Sequence, residues 1–324
     1  MTCNPFNNTP SRILVAGILV FLALQIRAAP FAYITNQGDD SVSVIDTGNN
    51  TVIATIPTGH RPAGVAIHCK LERAFVTNPE SREITVIDTN LQAVIKTFGL
   101  GDGPVGIAAN PVTNDIYIAD WYLHTVFVLN GESFTVRHEI EVGHSPSGVD
   151  VSRDGKYLYV ANRDDNNIAI IDTTDYRMIA TVPVGKAPFG VTASASGDHL
   201  YVANVQSGDV SIVDVAGQKV ETSIKVGQFP YAIAEDPERK RLFVTNQRES
   251  TVSVIDLAVG SVMETIGVGE YPEGIALHPS GESIYLANWF DSSVNVIDTE
   301  RLAIVDEVET GEGSRAFGRF MSCD

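Results

Sequence analysis

Ala32–Tyr33–Ile34–Thr35–Asn36, with Ile45–Asp46–Thr47 centred ten residues past Asn36, decides the fold of this chain. The pattern returns six more times at a constant spacing of 42 residues, so that the Asn36 position becomes Asn78, Asp120, Asn162, Asn204, Asn246 and Asn288. A glycine keeps the same step, from Gly59 and Gly101 to Gly269 and Gly311. Residues 31–324 make seven units of 42 with no insertion. A fixed period in this range is the signature of a repeat architecture, in which each unit is one supersecondary element that buries its faces only against its neighbours.

Each unit holds four short runs rich in β-branched residues and bounded by Gly, Pro, Asn and Asp, such as Tyr33–Ile34, Val42–Ile45, Val52–Ile56 and Val65–Ile67. No stretch of the repeat shows a sustained helical period. The expected fold is all-β: a seven-bladed β-propeller of four-stranded antiparallel blades. The Tyr33 position is aromatic in every unit, as in Phe75 and Tyr117, and fits the wide space between blades away from the axis. The Gly64 position holds only Gly or Ala, which places the Pro62–Ile67 strand innermost, where the blades converge. The chain opens on the second, third and outer strands of a blade (32–57) and ends on a lone innermost strand, Ser314–Met321. The N- and C-terminal strands therefore share the closing blade, which clasps the two ends and removes a free edge.

Residues 1–29 differ in composition from the remaining 30–324. Arg12 precedes an apolar or small run of 12 residues, Ile13–Leu24, with Ala28 and Ala29 following. This reads as a secretory signal, cut after Ala28 or Ala29, with a retained N-terminal anchor as the competing reading. The expected location is periplasmic or secreted, an oxidising space. Net charge is −18, and the leader contributes two arginines and no acid. So acidic a chain is not expected to bind nucleic acid, which needs a basic surface. Cys69 and Cys323 each follow the innermost strand of one of two neighbouring blades, so a disulfide across the seam and two free thiols are both open.

The run Tyr/Phe-Val/Ile-Thr/Ala-Asn, then Val-Ile-Asp-Thr, then Val-Gly-x-x-Pro-x-Gly, resembles the YVTN-repeat family of seven-bladed propellers over the whole of 31–324, and Ala316–Phe317–Gly318–Arg319–Phe320 resembles its closing strand. The resemblance implies the fold and a secreted binding or accessory role. It assigns no reaction. Asn36 and its equivalents read as bonding backbone at a strand end, and Asp46 and its equivalents as turn formers.

Departures from the repeat are where function is expected. The chain has two tryptophans, Trp121 and Trp289, 168 residues apart and so in one slot of different blades. Tyr122 and Phe290 follow them, and His124 joins the third unit, which also exchanges Asn for Asp120 and Asp for Asn130. They read either as covers of their own blade tops or as aromatic walls of a channel mouth that binds a ligand or partner. Arg61 and Lys186 supply cations on the same face. The residue after the repeat glycine presents Glu270, Glu312, His60, Asp102 and His144 on five adjacent blades. This set reads either as a solvated loop position or as donors for a divalent metal or acid–base work. His68 and His278 share a slot at the far end of the inner strand and read as turn residues. Gly101–Gly106 matches a dinucleotide-binding glycine pattern but lies between two strands, so it is a repeat turn.

With no catalytic motif, the leading expectation is a monomeric, non-enzymatic scaffold without a cofactor, binding a protein or small ligand at the Trp121/Trp289 face. The alternatives are a lactonase-like hydrolase using the mouth residues, and a cofactor-free accessory subunit of a periplasmic redox enzyme.

Overall fold

The computed structural model describes residues 1–2 and 30–323, so the apolar leader lies outside the described residues. Seven antiparallel sheets form the ring of a seven-bladed propeller. Blade one holds β1 (Phe31–Asn36), β2 (Ser41–Asp46) and β3 (Thr51–Pro57). Blade two runs outward through β4 (Val65–His68), β5 (Arg73–Asn78), β6 (Glu83–Asp88) and β7 (Ala93–Gly99). Five further blades repeat this order, over residues 104–141, 146–183, 188–225, 230–267 and 272–309. The innermost strand of blade two starts three residues later than the expected Pro62. A single three-residue 3-10 turn, Cys69–Leu71, is the one helical element among the described residues.

The aromatic position fills the space between blades. Tyr33, Phe75, Tyr117, Tyr159, Tyr201, Phe243 and Tyr285 are all buried, each worth about 1.5–3 kcal/mol of apolar transfer. The small position has a backbone cause. A Cβ on Gly64 would strike the carbonyl oxygen of Val105, on Gly106 that of Ser147, on Gly148 that of Phe189 and on Gly190 that of Tyr231. Neighbouring inner strands thus touch through bare backbone. Thr35, Thr77 and Thr245 tie adjacent blades together, each donating its hydroxyl to a carbonyl of the next inner strand, those of Ala63, Val105 and Glu273.

The expected backbone bonds occur at two of the asparagine positions, where Asn78 donates to Glu83 O at 3.2 Å and Asn162 accepts from Gly143 N–H at 3.0 Å. Asn36 donates to the hydroxyls of Ser41 and Ser43 at 2.9 Å each, within its own hairpin, and Asn204, Asn246 and Asn288 likewise reach side chains five and seven residues on. The Asp46 position forms the expected turn, with Gly48 N–H donating to its carboxylate at 2.8 Å.

The C-terminal segment completes blade one. It bridges β1 at Ala32↔Met321 and Asn36↔Ser314, and on its other side runs parallel to blade two at Gly64↔Phe317. Cys323 is joined to Cys69 of blade two by a disulfide with a Cα separation of 5.8 Å, between residues 254 positions apart.

Two outcomes follow from this packing. Gly106→Ala should cost about 1–3 kcal/mol in denaturant unfolding, while Gly267→Ala, which meets nothing within 4 Å, should leave the midpoint unchanged. Cys323→Ser should cost roughly 3–5 kcal/mol, read as a lower melting temperature than that of the oxidised protein.

Candidate functional site

Each inner strand from blade three to blade seven begins with a proline and then skips one residue in its pairing. In blade four the register runs Pro146↔Asn162 and next Val149↔Val160, with the same step in blades three, five, six and seven. Such a bulge re-aims the side chain it carries. The re-aimed position is Val105, Ser147, Phe189, Tyr231 and Glu273, and its sequence equivalents in blades two and one are Ala63 and Arg315.

These residues fill one end of the channel. Phe189 stacks on Tyr231 with ring centroids 4.4 Å apart, and Phe317 of the closing segment packs against both, at 5.0 and 5.4 Å. Arg315 Nε lies 2.5 Å from Glu273 Oε2, and its Nη2 donates to the Tyr231 hydroxyl at 2.7 Å. Gln247 donates to the other Glu273 oxygen at 3.1 Å. Burial pushes the Glu273 carboxyl above its ordinary range, and the Arg315 guanidinium pulls against it. This plug lies on the tryptophan face.

The opposite end is open. A cavity of about 720 Å³ is walled by Ile107, Val149, Val191, Ile233 and Ile275 and floored by Phe317. Arg319 reaches from the closing segment to blade four, where its guanidinium meets the buried Asp150 carboxylate at 2.8 Å and is held above its ordinary pKa by that charge. Glu235 accepts from Ala195 N–H at 2.5 Å and from the Tyr201 hydroxyl at 3.2 Å, and the buried Asp236 pairs with Arg239 at 3.1 Å. Lys70 and Arg153 line the same cavity, exposed, with no ion pair among the described residues. The Cys69–Cys323 bridge forms part of the rim.

His68 and His278 serve as turn residues and line this cavity too. His68 Nε2 donates to Thr113 O at 2.8 Å while Nδ1 accepts from Leu71 N–H at 3.2 Å. His278 Nδ1 accepts from Ser280 N–H at 3.1 Å, and Nε2 lies 3.1 Å from Thr47 Oγ1.

The residues singled out in the sequence sit on the plugged face. Trp121 packs at 6.4 Å from Phe189 beneath the Arg163 guanidinium, as part of the plug. Trp289 belongs to a separate cluster with Tyr271 and Phe290. The two tryptophans do not wall an open mouth, because the channel between them is filled. Tyr122 is exposed beside Gly103. His124 and His144 lie 4.8 Å apart, ring to ring, and His124 Nδ1 accepts from Ser145 N–H.

The five acid and imidazole positions are not brought together. His60 pairs with Asp40 at 2.7 Å, Asp102 with Arg82 at 3.0 Å and His144 with Asp165 at 2.9 Å. The Glu270 and Glu312 N–H groups donate to Asp291 and Asp39 at 2.6 Å each. Among the described residues no group of three or more His, Cys, Asp or Glu is disposed to hold a metal. Arg61 lies 3.8 Å from Glu80, and Lys186 N–H donates to Ser207 at 2.9 Å. The exchange at Asp120 is structural. Its carboxylate accepts N–H groups of Asp102, Gly103, Tyr122 and Leu123, where an asparagine oxygen would leave a donor unmet.

Known proteins share the architecture. A family model described as "Lactonase, 7-bladed beta-propeller" matches residues 128–221, under a third of the chain. A comparison with curated proteins returns no match. Hydrazine synthase of Kuenenia stuttgartiensis superposes with a TM-score of 0.74 at 22% identity, covering 82% of this chain and 92% of that one. A functionally unknown protein from Desulfotomaculum acetoxidans gives 0.77 at 15% identity, over 89% and 99% of the two chains. Dihydro-heme d1 dehydrogenase NirN, in complex with DHE, gives 0.69 at 12% identity, over 90% and 76%. At these identities the likeness is one of fold.

The plug yields a pH-dependent outcome. Arg315→Met strands a buried carboxylate and should cost about 3–5 kcal/mol at neutral pH. With its pKa raised in the folded state, Glu273 favours folding when protonated and opposes it as pH rises. The loss in Arg315→Met should therefore shrink from pH 7 toward pH 5, and in Glu273→Gln/Arg315→Met it should be smaller and flat with pH, read by thermal melting.

Proposed function

We propose that this propeller is a binding protein that holds a small organic anion with an apolar body in its one-ended channel. The observation that carries the reading is the cavity itself. Aliphatic walls suit an apolar body, and at about 720 Å³ the space falls within the usual range for small-molecule sites. Lys70 and Arg153 stand at the rim as unpaired cations of a chain whose net charge is −18. An acid group is the natural partner for such a pair. Asp150, Glu235, Asp236, His68 and His278 all carry hydrogen bonds to the protein itself, which supports holding a ligand over transforming it. The Cys69–Cys323 bridge, with the apolar leader, supports work in an oxidising space outside the cytoplasm.

A hydrolase reading is favoured by the match of residues 128–221 to the lactonase propellers. Its substrate would enter the same cavity, since His60 and Asp102 lie on the plugged face, and its ring-opened product would again be an organic acid. Turnover of a lactone panel above the uncatalysed rate by purified protein is the result that would favour it.

Calorimetric titration with medium-chain and aromatic carboxylic acids should show saturable binding, absent for the matching amines and alcohols. Arg153→Gln should weaken it about tenfold, as expected for one charge-assisted hydrogen bond. Equal binding of amines, or full affinity in both Arg153→Gln and Lys70→Gln, would overturn the proposal.

A further inference from the structure

The plugged face carries a patch that the cavity does not use. Tyr271, Trp289 and Phe290 of blade seven form a three-ring cluster, with centroids 5.6, 5.1 and 4.8 Å apart for Tyr271–Trp289, Tyr271–Phe290 and Trp289–Phe290. Phe290 is 60% exposed, unusual for a phenylalanine that closes no core. Glu270 and Asp291 flank it on the same blade, and Glu312 and Asp39 on blade one. All four are exposed, and none forms an ion pair with another described residue.

The repeat supplies an internal comparison. In blade six the positions equivalent to Tyr271 and Phe290 are Phe229 and Arg248, and the Arg248 guanidinium lies 4.0 Å over the Phe229 ring. The Trp121 ring is covered instead by Arg163 of the next blade, which stands in the tryptophan slot itself, at 5.6 Å. Blade seven keeps the aromatic partner but puts a phenylalanine where blade six has its arginine, and surrounds the rings with carboxylates. Among the described residues no side-chain cation covers the blade-seven rings as Arg248 covers Phe229.

We propose that the Tyr271–Trp289–Phe290 cluster is the docking surface for a partner protein that presents an arginine- or lysine-rich segment. A guanidinium or ammonium from that segment lies over the exposed ring, where its attraction to the π-face is reinforced by Glu270 and Glu312. The aromatic stack gives the site its position, and the four carboxylates give it its preference for cations. The surface is independent of the channel ligand, being at the opposite end of the plug.

The test uses the full chain with Trp121→Phe, which leaves Trp289 as its one tryptophan. Titration with an arginine-rich decapeptide should change Trp289 emission saturably, and a glutamate-rich peptide of the same length should not. Affinity should fall at least fivefold in Phe290→Ala and again in Glu270→Gln/Glu312→Gln, and should weaken as salt rises. The two glutamates are exposed, so their neutralisation tests the patch even where Phe290→Ala disturbs the stack. An unchanged emission overturns the proposal. So does an equal loss in Glu264→Gln/Glu300→Gln on distant surfaces, which would mean general attraction of a polycation to an acidic protein.

Discussion

The contact on which the molecule rests is backbone against backbone. Inner strands of neighbouring blades approach until the glycine position of one meets a carbonyl oxygen of the next, with no room for even a methyl group at Gly106, Gly148 or Gly190. That approach sets the narrow end of each wedge. The aromatic position, from Tyr33 to Tyr285, sets the wide end. Small residues at one end and large at the other fix the angle between blades, and a fixed angle with a uniform repeat closes after seven. Blade six and the closing segment carry Ala232 and Ala316 in the small position.

The bulge that opens the inner strands converts this frame into a channel with two unlike ends. It turns one side chain per blade toward the axis, and the chain uses those places for aromatic rings and one buried ion pair. At the blocked end the buried charged groups have partners, Glu273 with Arg315 and Gln247. Beyond the bulge the alternation resumes, and Val149, Val191 and Ile233 present aliphatic surface to the open end. A buried pair such as Glu273–Arg315 adds little net stability over well-packed apolar residues. The pair links blade seven to the closing segment, which also supplies Phe317 to the plug.

The architecture was legible because spacing is preserved without interruption, and a 42-residue period carries the fold without any single residue having to be understood. The seam was legible from the incomplete first and last units. The Gly64 position was read correctly as small, though its cause is a neighbouring carbonyl and not merely crowding at the axis. The sequence reading placed the site on the tryptophan face, whereas the open cavity lies at the other end of the channel. Simple alternation along the inner strand passes over the bulge, so the Ala63 position looked like one more strand residue. Yet Phe189, Tyr231, Glu273 and Arg315 depart from the repeat as sharply as Trp121 and Trp289 do, and the same search for departures would have found them. Equivalence of position also misled. Trp121 and Trp289 share a slot, but their surroundings are set by neighbours that do not repeat, Phe189 and Arg163 for one, Tyr271 and Phe290 for the other.

The closing segment gives the chain an unusual dependence on its own completion. Blade one is built from two stretches of chain 281 positions apart, joined by the bond from Ala316 N–H to Thr35 Oγ1. Without residues 314–321, β1 has an unpaired inner edge and Phe189 and Tyr231 have no third ring to pack against. Removing that segment therefore opens the ring itself and not one strand of it.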